Sequence, residues 1–167
     1  MKKIFIHAGP GKTGTSTIQH WLSRNVDLLA ENGIHYPHHD IDSNGVSPGN
    51  YDAVLSQDEN KTWVVDEVKT KKLLKYFEGS QWDTLVLSSE ILIGQLEDLL
   101  DLMPNAETIL YLRNPLEVME SNYNQLVKRH RHTEKFKAKK NQLFVTIKRL
   151  SQLLENRKEN KFIIRPY

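Results

Sequence analysis

A glycine-rich turn with one lysine and several hydroxyl side chains follows the first apolar segment of the chain and reads GPGKTGTST over residues 9–17. Glycines let a backbone approach an oxyanion closely, and the free N–H groups at a helix start favour negative charge. Lys12 adds a full positive charge, and the hydroxyls add hydrogen-bond donors. The turn therefore predicts a phosphate or sulfate site formed by Gly11, Lys12, Thr13, Gly14, Thr15, Ser16 and Thr17.

The elements on either side position this turn as a strand–loop–helix unit. Residues 4–6 form a short apolar strand, and a helix is predicted over 15–31 with an apolar stripe at Ile18, Trp21, Leu22 and Leu29. The nucleotide-binding pattern G-x-x-x-x-G-K-[ST] is only partly matched, because Ile6 stands where its first glycine belongs. Glu90 is a poor match to the carboxylate that holds Mg²⁺ in such proteins. A P-loop kinase or NTPase remains an alternative.

A second pattern places an arginine at the end of a later strand. Residues 109–112 are mostly apolar, Arg113 follows them, and Asn114 and Pro115 are a good N-cap and a good first helical residue. Ser121 lies about two turns into the predicted helix, off the apolar stripe at Leu116, Met119, Tyr123 and Val127. A guanidinium and a hydroxyl so placed suit a terminal phosphate. The alternative is a surface arginine paired with Glu117 or Glu120.

These segments resemble the sulfotransferases that use 3′-phosphoadenosine 5′-phosphosulfate (PAPS), in particular their bacterial and carbohydrate-type branches. Residues 7–19, HAGPGKTGTSTIQ, look like the phosphosulfate loop, and residues 108–123 are similar to the 3′-phosphate motif. Residues 87–90, Leu-Ser-Ser-Glu, resemble the strand end that carries a catalytic glutamate in carbohydrate-type members. The resemblance implies sulfuryl transfer from PAPS to a hydroxyl or amine of a small-molecule or carbohydrate acceptor. The product 3′,5′-bisphosphate (PAP) is released, and no metal is required.

The resemblance also implies a role for each residue. Lys12 neutralises charge on the leaving 5′-phosphate, which residues 13–17 hold, while Arg113 and Ser121 bind the 3′-phosphate. Glu90 takes the acceptor proton, with His7 as the competing base. Glu90 could instead only cap the next helix, and His7 could only orient the loop.

The last predicted strand, residues 161–165, is usually followed by more chain in this family. The resemblance therefore implies a single sulfotransferase-like domain over 1–167 that lacks the family's C-terminal portion. That portion supplies part of the adenine site, so a non-catalytic module that binds PAP or PAPS remains a further alternative.

Composition sets broader limits. The chain has 167 residues, 38% hydrophobic residues, no cysteine and a net charge of +2. We expect one cytoplasmic domain without a signal peptide, disulfides or a membrane span, and no nucleic-acid partner. The sequence leaves the oligomeric state open.

The order of apolar segments predicts an α/β fold, a three-layer parallel sheet flanked by helices as in P-loop NTPase-like sulfotransferases. Strands are predicted at 3–7, 34–37, 84–89, 107–112 and 161–165. Helices are predicted at 15–31, 66–78, 91–101, 115–131 and 136–157, and residues 38–62 as a loop.

Two clusters have a second interpretation. His35, His38, His39, Asp40 and Asp42 could collect a metal, although an exposed flexible segment fits them better. A basic run of Lys128, Arg129, Arg131, Lys135, Lys137, Lys139 and Lys140 is typical of a solvated helix face. It could also guide an anionic acceptor towards the site.

Overall fold

A computed structural model describes residues 2–42, 45–137 and 140–167. The strands are β1 (Lys3–His7), β2 (Ile34–His35), β3 (Leu55–Gln57), β4 (Trp63–Val65), β5 (Thr84–Ser88), β6 (Glu107–Leu112) and β7 (Lys161–Pro166). The helices are α1 (Thr15–Arg24), α2 (Val26–Glu31), α3 (Glu67–Glu78), α4 (Leu96–Leu102), α5 (Pro115–His130) and α6 (Lys140–Asn156). The predicted α/β architecture is confirmed.

Five strands form one parallel sheet in the order β2-β5-β1-β6-β7. Across the sheet, the connection from β1 to β2 runs in one direction. The connections from β2 to β5, from β5 to β6 and from β6 to β7 run in the opposite direction. Right-handed crossovers then place α1 and α2 on one face and the later helices on the other. β1 lies at the reversal, so its carboxyl end is the switch point where such sheets bind ligands.

The register brings three functional segments to this edge. His7 at the end of β1 pairs with Ser88 at the end of β5 and with Ile109 of β6. The segments that follow β1, β5 and β6 therefore leave the sheet side by side at the carboxyl ends of these strands. They carry the glycine-rich loop, Glu90 and Arg113, respectively.

The hydrophobic core lies on the α4 and α6 side of the sheet. Its buried residues are Ile6, Ala8, Val54, Leu55, Leu87, Leu92, Leu96, Leu99, Leu100, Met103, Ala106, Leu110, Leu150 and Leu153. Alternation along β1 sends Ile6 and Ala8 into this core and His7 to the opposite face. The core fixes the strand ends from which the loops depart.

The predicted apolar stripes of α1 and α5 are partly wrong. Trp21 is 52% exposed and Leu116 is 55% exposed, while α1 buries Thr15 and Gln19 instead. Val127 is also exposed. These helices cover less of the sheet than their sequence period indicates, so some of their apolar side chains line surface cavities rather than the core.

Several element boundaries differ from the prediction. The helix over 15–31 is broken at Asn25 into α1 and α2, and the helix over 91–101 begins as a 3₁₀ turn, Ile91–Gln95. The last predicted helix begins at Lys140 rather than near residue 136, and residues 138–139 lie outside the described part of the chain. Within the described segments, no helix has both the length and the apolarity that crossing a bilayer demands.

The predicted loop over residues 38–62 is only partly correct. Its second half includes a 3₁₀ turn, Tyr51–Ala53, and β3, which pairs with β4 as an antiparallel hairpin, and Asn50 is fully buried. The Asn50 amide extends the edge of β5: its Oδ1 accepts from Ser88 N at 2.7 Å and its Nδ2 donates to Val86 O at 3.1 Å. Gly49, at φ 80, approaches so closely that an added Cβ would lie 1.9 Å from Ser88 O. This packing holds the segment beside the end of β5.

Candidate functional site

The loop between β1 and α1 has the geometry of an anion cradle. Lys12 and Gly14 both adopt left-handed backbone conformations, at φ 70 and φ 72. The hydroxyl of Thr13 donates to Pro10 O at 2.7 Å, which closes the turn. Gly14 is the N-cap of α1, and no side chain caps the helix there. The first N–H groups of α1 are therefore available to an acceptor from outside the helix.

The ammonium group of Lys12 is bound to helix α5. Its Nζ donates a hydrogen bond to Oε1 of Gln125, a residue 113 positions away in the sequence. The structure thus places Lys12 between the loop and α5. An incoming anion meets an ammonium that already has one partner.

Glu90 lies against the same loop. Its Oε1 accepts a hydrogen bond from the hydroxyl of Thr15 in the first turn of α1. Its Oε2 is 3.2 Å from the point where a Cβ on Gly11 would stand, so a side chain at residue 11 would crowd the carboxylate. The 3₁₀ turn starts directly after Glu90, whose side chain makes no capping hydrogen bond to it.

Arg113 reaches the loop from the end of β6. Its Nε donates to Oε2 of Glu117 at 2.9 Å, and its Nη1 donates to Lys12 O at 3.3 Å. The guanidinium also lies 5.1 Å from the centre of the Tyr167 ring. The predicted Arg113–Glu117 pair is present, and it holds the guanidinium beside the cradle rather than in bulk solvent.

A cavity of about 820 Å³ joins these groups. The predicted residues that line it are Gly11, Lys12, Gly14, Thr15, Ser16, Glu90, Arg113 and Ser121. Three predicted residues do not line it: Thr13 is buried with its hydroxyl bonded to Pro10, Thr17 is exposed, and His7 is buried behind the loop.

Helix α5 supplies a polar wall that the sequence analysis missed. Glu117, Glu120, Ser121, Asn124, Gln125 and Lys128 line the cavity at helical spacing. Of these residues, the sequence predicted only Ser121 as a phosphate ligand. It predicted Glu117 or Glu120 as a partner of Arg113 and Lys128 as part of the basic run, and the polar stripe of helical period was the signal for the whole wall. With these residues the cavity holds three cationic side chains, Lys12, Arg113 and Lys128, and three carboxylates, Glu90, Glu117 and Glu120.

His7 is packed rather than exposed to the cavity. Its Nδ1 lies 2.8 Å from the hydroxyl of Ser88, and its ring meets the Tyr111 ring edge to face at 5.6 Å. Its Nε2 is buried and has no partner among the described residues. Burial lowers the pKa of the His7 imidazole from 6.5 to about 4.

The histidine-rich segment after β2 is also packed in part. His39 is buried and its Nε2 lies 2.6 Å from the Ser47 hydroxyl, while His35 stacks on Trp82 with ring centres 4.4 Å apart. Among the residues with described positions, no three histidine, aspartate or glutamate side chains are grouped as a metal site requires.

Comparison with solved structures supports the fold. A sulfotransferase from Alicyclobacillus acidocaldarius superimposes with a TM-score of 0.50 at 17% identity, over 98% of this chain and 73% of that chain. The cell division protein MinD from Aquifex aeolicus gives a TM-score of 0.42 at 15% identity, over 99% of this chain and 69% of that chain. No protein-family model matches the sequence, and neither does any curated protein. The similarity to the sulfotransferase shows a shared fold.

Burial of His7 predicts a specific pH dependence of stability. The unfolded chain binds a proton at this residue near pH 6.5, whereas the folded chain does so only near pH 4. Stability is therefore lost as the pH falls through this interval. When the pH falls from 7 to 5, the free energy of unfolding measured in urea should decrease by about 2 kcal/mol more for the wild type than for His7→Asn. Equal slopes for wild type and His7→Asn would contradict the prediction.

Proposed function

We propose that this chain binds PAPS and transfers its sulfuryl group to an acceptor. The observation that carries the proposal is the single cavity that unites the cradle with Lys12, Glu90, Arg113 and Ser121. Its volume, about 820 Å³, lies within the range of ligand-binding pockets. The shared fold with a sulfotransferase is consistent with this function.

The donor would span the cavity from the loop to α5. The 5′-phosphosulfate would lie over the first turn of α1, where the uncapped N–H groups and the Ser16 hydroxyl can donate to it. The 3′-phosphate would lie at Arg113 and Ser121. Because Arg113 uses Nε and Nη1 for protein contacts, its Nη2 is free within the described structure to bind this phosphate. Binding would draw the Lys12 ammonium from Gln125 towards the bridging oxygen.

The reaction is an in-line displacement at sulfur. The acceptor oxygen or nitrogen forms a bond to sulfur while the bond between sulfur and the 5′-phosphate oxygen breaks, and PAP leaves with the electron pair. The acceptor proton passes to Glu90, because this carboxylate lines the cavity and lies at the cradle. His7 is buried outside the cavity, so it is the weaker candidate for the base.

A P-loop NTPase is less compatible with the loop. In such enzymes the hydroxyl after the P-loop lysine binds Mg²⁺. Here the corresponding hydroxyl, on Thr13, is buried and already donates to Pro10 O. Thr13 is also absent from the described lining of the cavity, so its oxygen does not face a metal bound there.

Binding of PAP tests the donor site. PAP should raise the apparent melting temperature more than ATP at equal concentration, since only PAP carries the 3′-phosphate that Arg113 would bind. Arg113→Ala should raise the Kd for PAP by about 10- to 100-fold, as expected for a lost charge-assisted hydrogen bond, and leave the Kd for AMP unchanged.

The matched control is Arg165→Ala, which removes an exposed guanidinium on β7 whose one hydrogen bond is to Ile164 O. It should bind PAP like the wild type. Mg²⁺-dependent preference for ATP would contradict the proposal and favour the NTPase alternative.

Turnover tests the base. Glu90→Gln can still accept from Thr15 but cannot take a proton, so its kcat with PAPS should fall by about 10²- to 10⁴-fold with the Kd for PAP unchanged. His7→Asn should keep kcat near that of the wild type. Loss of turnover in His7→Asn with full activity in Glu90→Gln would reverse the assignment. PAP binding without turnover of any acceptor would favour a non-catalytic binding module.

A further inference from the structure

A second cavity, which we term the acceptor cleft, lies on the other side of the loop and has a volume of about 830 Å³. Residues 93–98 form one wall and residues 149–156 of α6 form the other. Gly11 lines both this cleft and the donor cavity. Glu90 lines the donor cavity, and its Oε2 lies 3.2 Å from the point where a Cβ on Gly11 would stand. A molecule in the cleft therefore approaches this carboxylate at Gly11, the residue that the two cavities share.

The two walls of the cleft are tied together. Arg157, directly after α6, donates through Nη2 to Glu97 O at 3.2 Å and forms an ion pair with Asp101 at 2.7 Å. The Asn156 amide donates to Glu97 Oε1 at 3.4 Å. The buried side chains of Leu96, Leu150 and Leu153 make the floor. The cleft is therefore formed by elements whose spacing the core and these contacts fix.

The rim of the cleft is polar and carries an excess of negative charge. Glu97, Asp98 and Glu155 contribute carboxylates, and Arg149 contributes the one cationic side chain among the described lining residues. Gln95, Gln152 and Asn156 contribute amides. Within the described chain, Asp98, Gln152 and Glu155 have no side-chain hydrogen bond, so all three can bind a ligand. Carboxylates accept from hydroxyl and ammonium groups, and amides both donate and accept.

We propose that the acceptor cleft binds a polyhydroxylated acceptor that is uncharged or carries an amine. The inference rests on the proposed sulfuryl transfer, and it specifies the acceptor of that reaction. Hydroxyl groups of the ligand satisfy the rim while its apolar ring face rests on the leucine floor. One hydroxyl reaches Gly11, attacks sulfur and gives its proton to Glu90. An anionic acceptor is disfavoured because the rim carboxylates outnumber the single guanidinium.

An apolar cavity of about 770 Å³ offers a different environment on the other face of α5. Val118, Met119, Leu126 and Ile147 are among its lining residues, with Lys135 and Lys137 at its edge. Of the described basic run, Lys135 and Lys137 border this apolar cavity and Lys128 lines the donor cavity, whereas none lines the acceptor cleft. Lys139 and the side chains of Arg129 and Lys140 lie outside the described residues. A phenolic acceptor would fit this apolar cavity better than the polar cleft. Phenols are therefore included in the test as competing acceptors.

Gly94 provides a way to fill the acceptor cleft. A Cβ added at Gly94 meets no atom within 4 Å, and its backbone is not left-handed, so a side chain can project there without displacing the fold. Gly94→Phe should weaken the binding of methyl glucoside and glucosamine by about tenfold or more, because hydrogen bonds to the rim are lost. The KM of these sugars in turnover should rise by a similar factor. The Kd for PAP should stay within about twofold of the wild type, since the donor cavity is untouched. Gly94→Ala, which leaves most of the cleft open, is the matched control.

The measurements are saturation-transfer NMR of each sugar, calorimetry of PAP, and turnover with PAPS. The proposal is supported if both sugars bind to the wild type but not to Gly94→Phe. It also requires that a glucuronide bind to the wild type at least about tenfold more weakly than these sugars. If PAP binds but the sugars do not, if Gly94→Phe changes nothing, or if a glucuronide or a phenol is the preferred acceptor, the cleft assignment is overturned while the donor site stands. Sugar binding that Gly94→Phe removes, in a protein that does not bind PAP, would keep the cleft and overturn sulfuryl transfer.

Discussion

The start of α1 is the constraint on which the rest of the site depends. Gly14 begins the helix without a side-chain cap, and the nearby Thr13 hydroxyl is committed to Pro10. The first N–H groups of the helix therefore need an acceptor from elsewhere, and an anion supplies one. Glycine suits position 14, because its φ is 72, where a side chain is strained, and because an added Cβ would lie 2.6 Å from the exposed Tyr167 ring, which would have to shift.

Helix α5 converts this cradle into a site for a larger ligand. Among the described lining residues of the cavity, Lys12 is bonded to Gln125 and Arg113 is paired with Glu117. A doubly phosphorylated nucleotide would have to replace or share these partners. The Arg113–Glu117 pair opposes it weakly, because a partly exposed ion pair at this helical spacing contributes only about 0.3–0.5 kcal/mol. Affinity then depends on the difference between internal and ligand contacts. This exchange couples the position of Lys12 to occupancy of the cavity.

The sequence predicted what local chemistry determines. Asn114 and Pro115 start α5 as expected, with the Asn114 side chain accepting from Leu116 N at 3.0 Å, and the glycine-rich loop follows β1 as expected. The contact between Lys12 and Gln125 could not be predicted, because it depends on how two distant elements pack. The exposure of Leu116 could not be predicted for the same reason. The periodic apolar residues of a helix show which side is apolar but not which element packs against it. Within residues 38–62, the sequence did not predict β3 or the burial of Asn50, because a polar side chain that satisfies a buried strand edge has the composition of a loop.

The most direct test of the account is a crystal structure of the protein with PAP. The account predicts the 5′-phosphate over the first turn of α1, the 3′-phosphate within hydrogen-bond distance of Arg113 and Ser121, and the Lys12 ammonium turned from Gln125 towards the ligand. An empty cavity at saturating PAP, or a nucleotide bound with its 3′-phosphate away from Arg113, would contradict it.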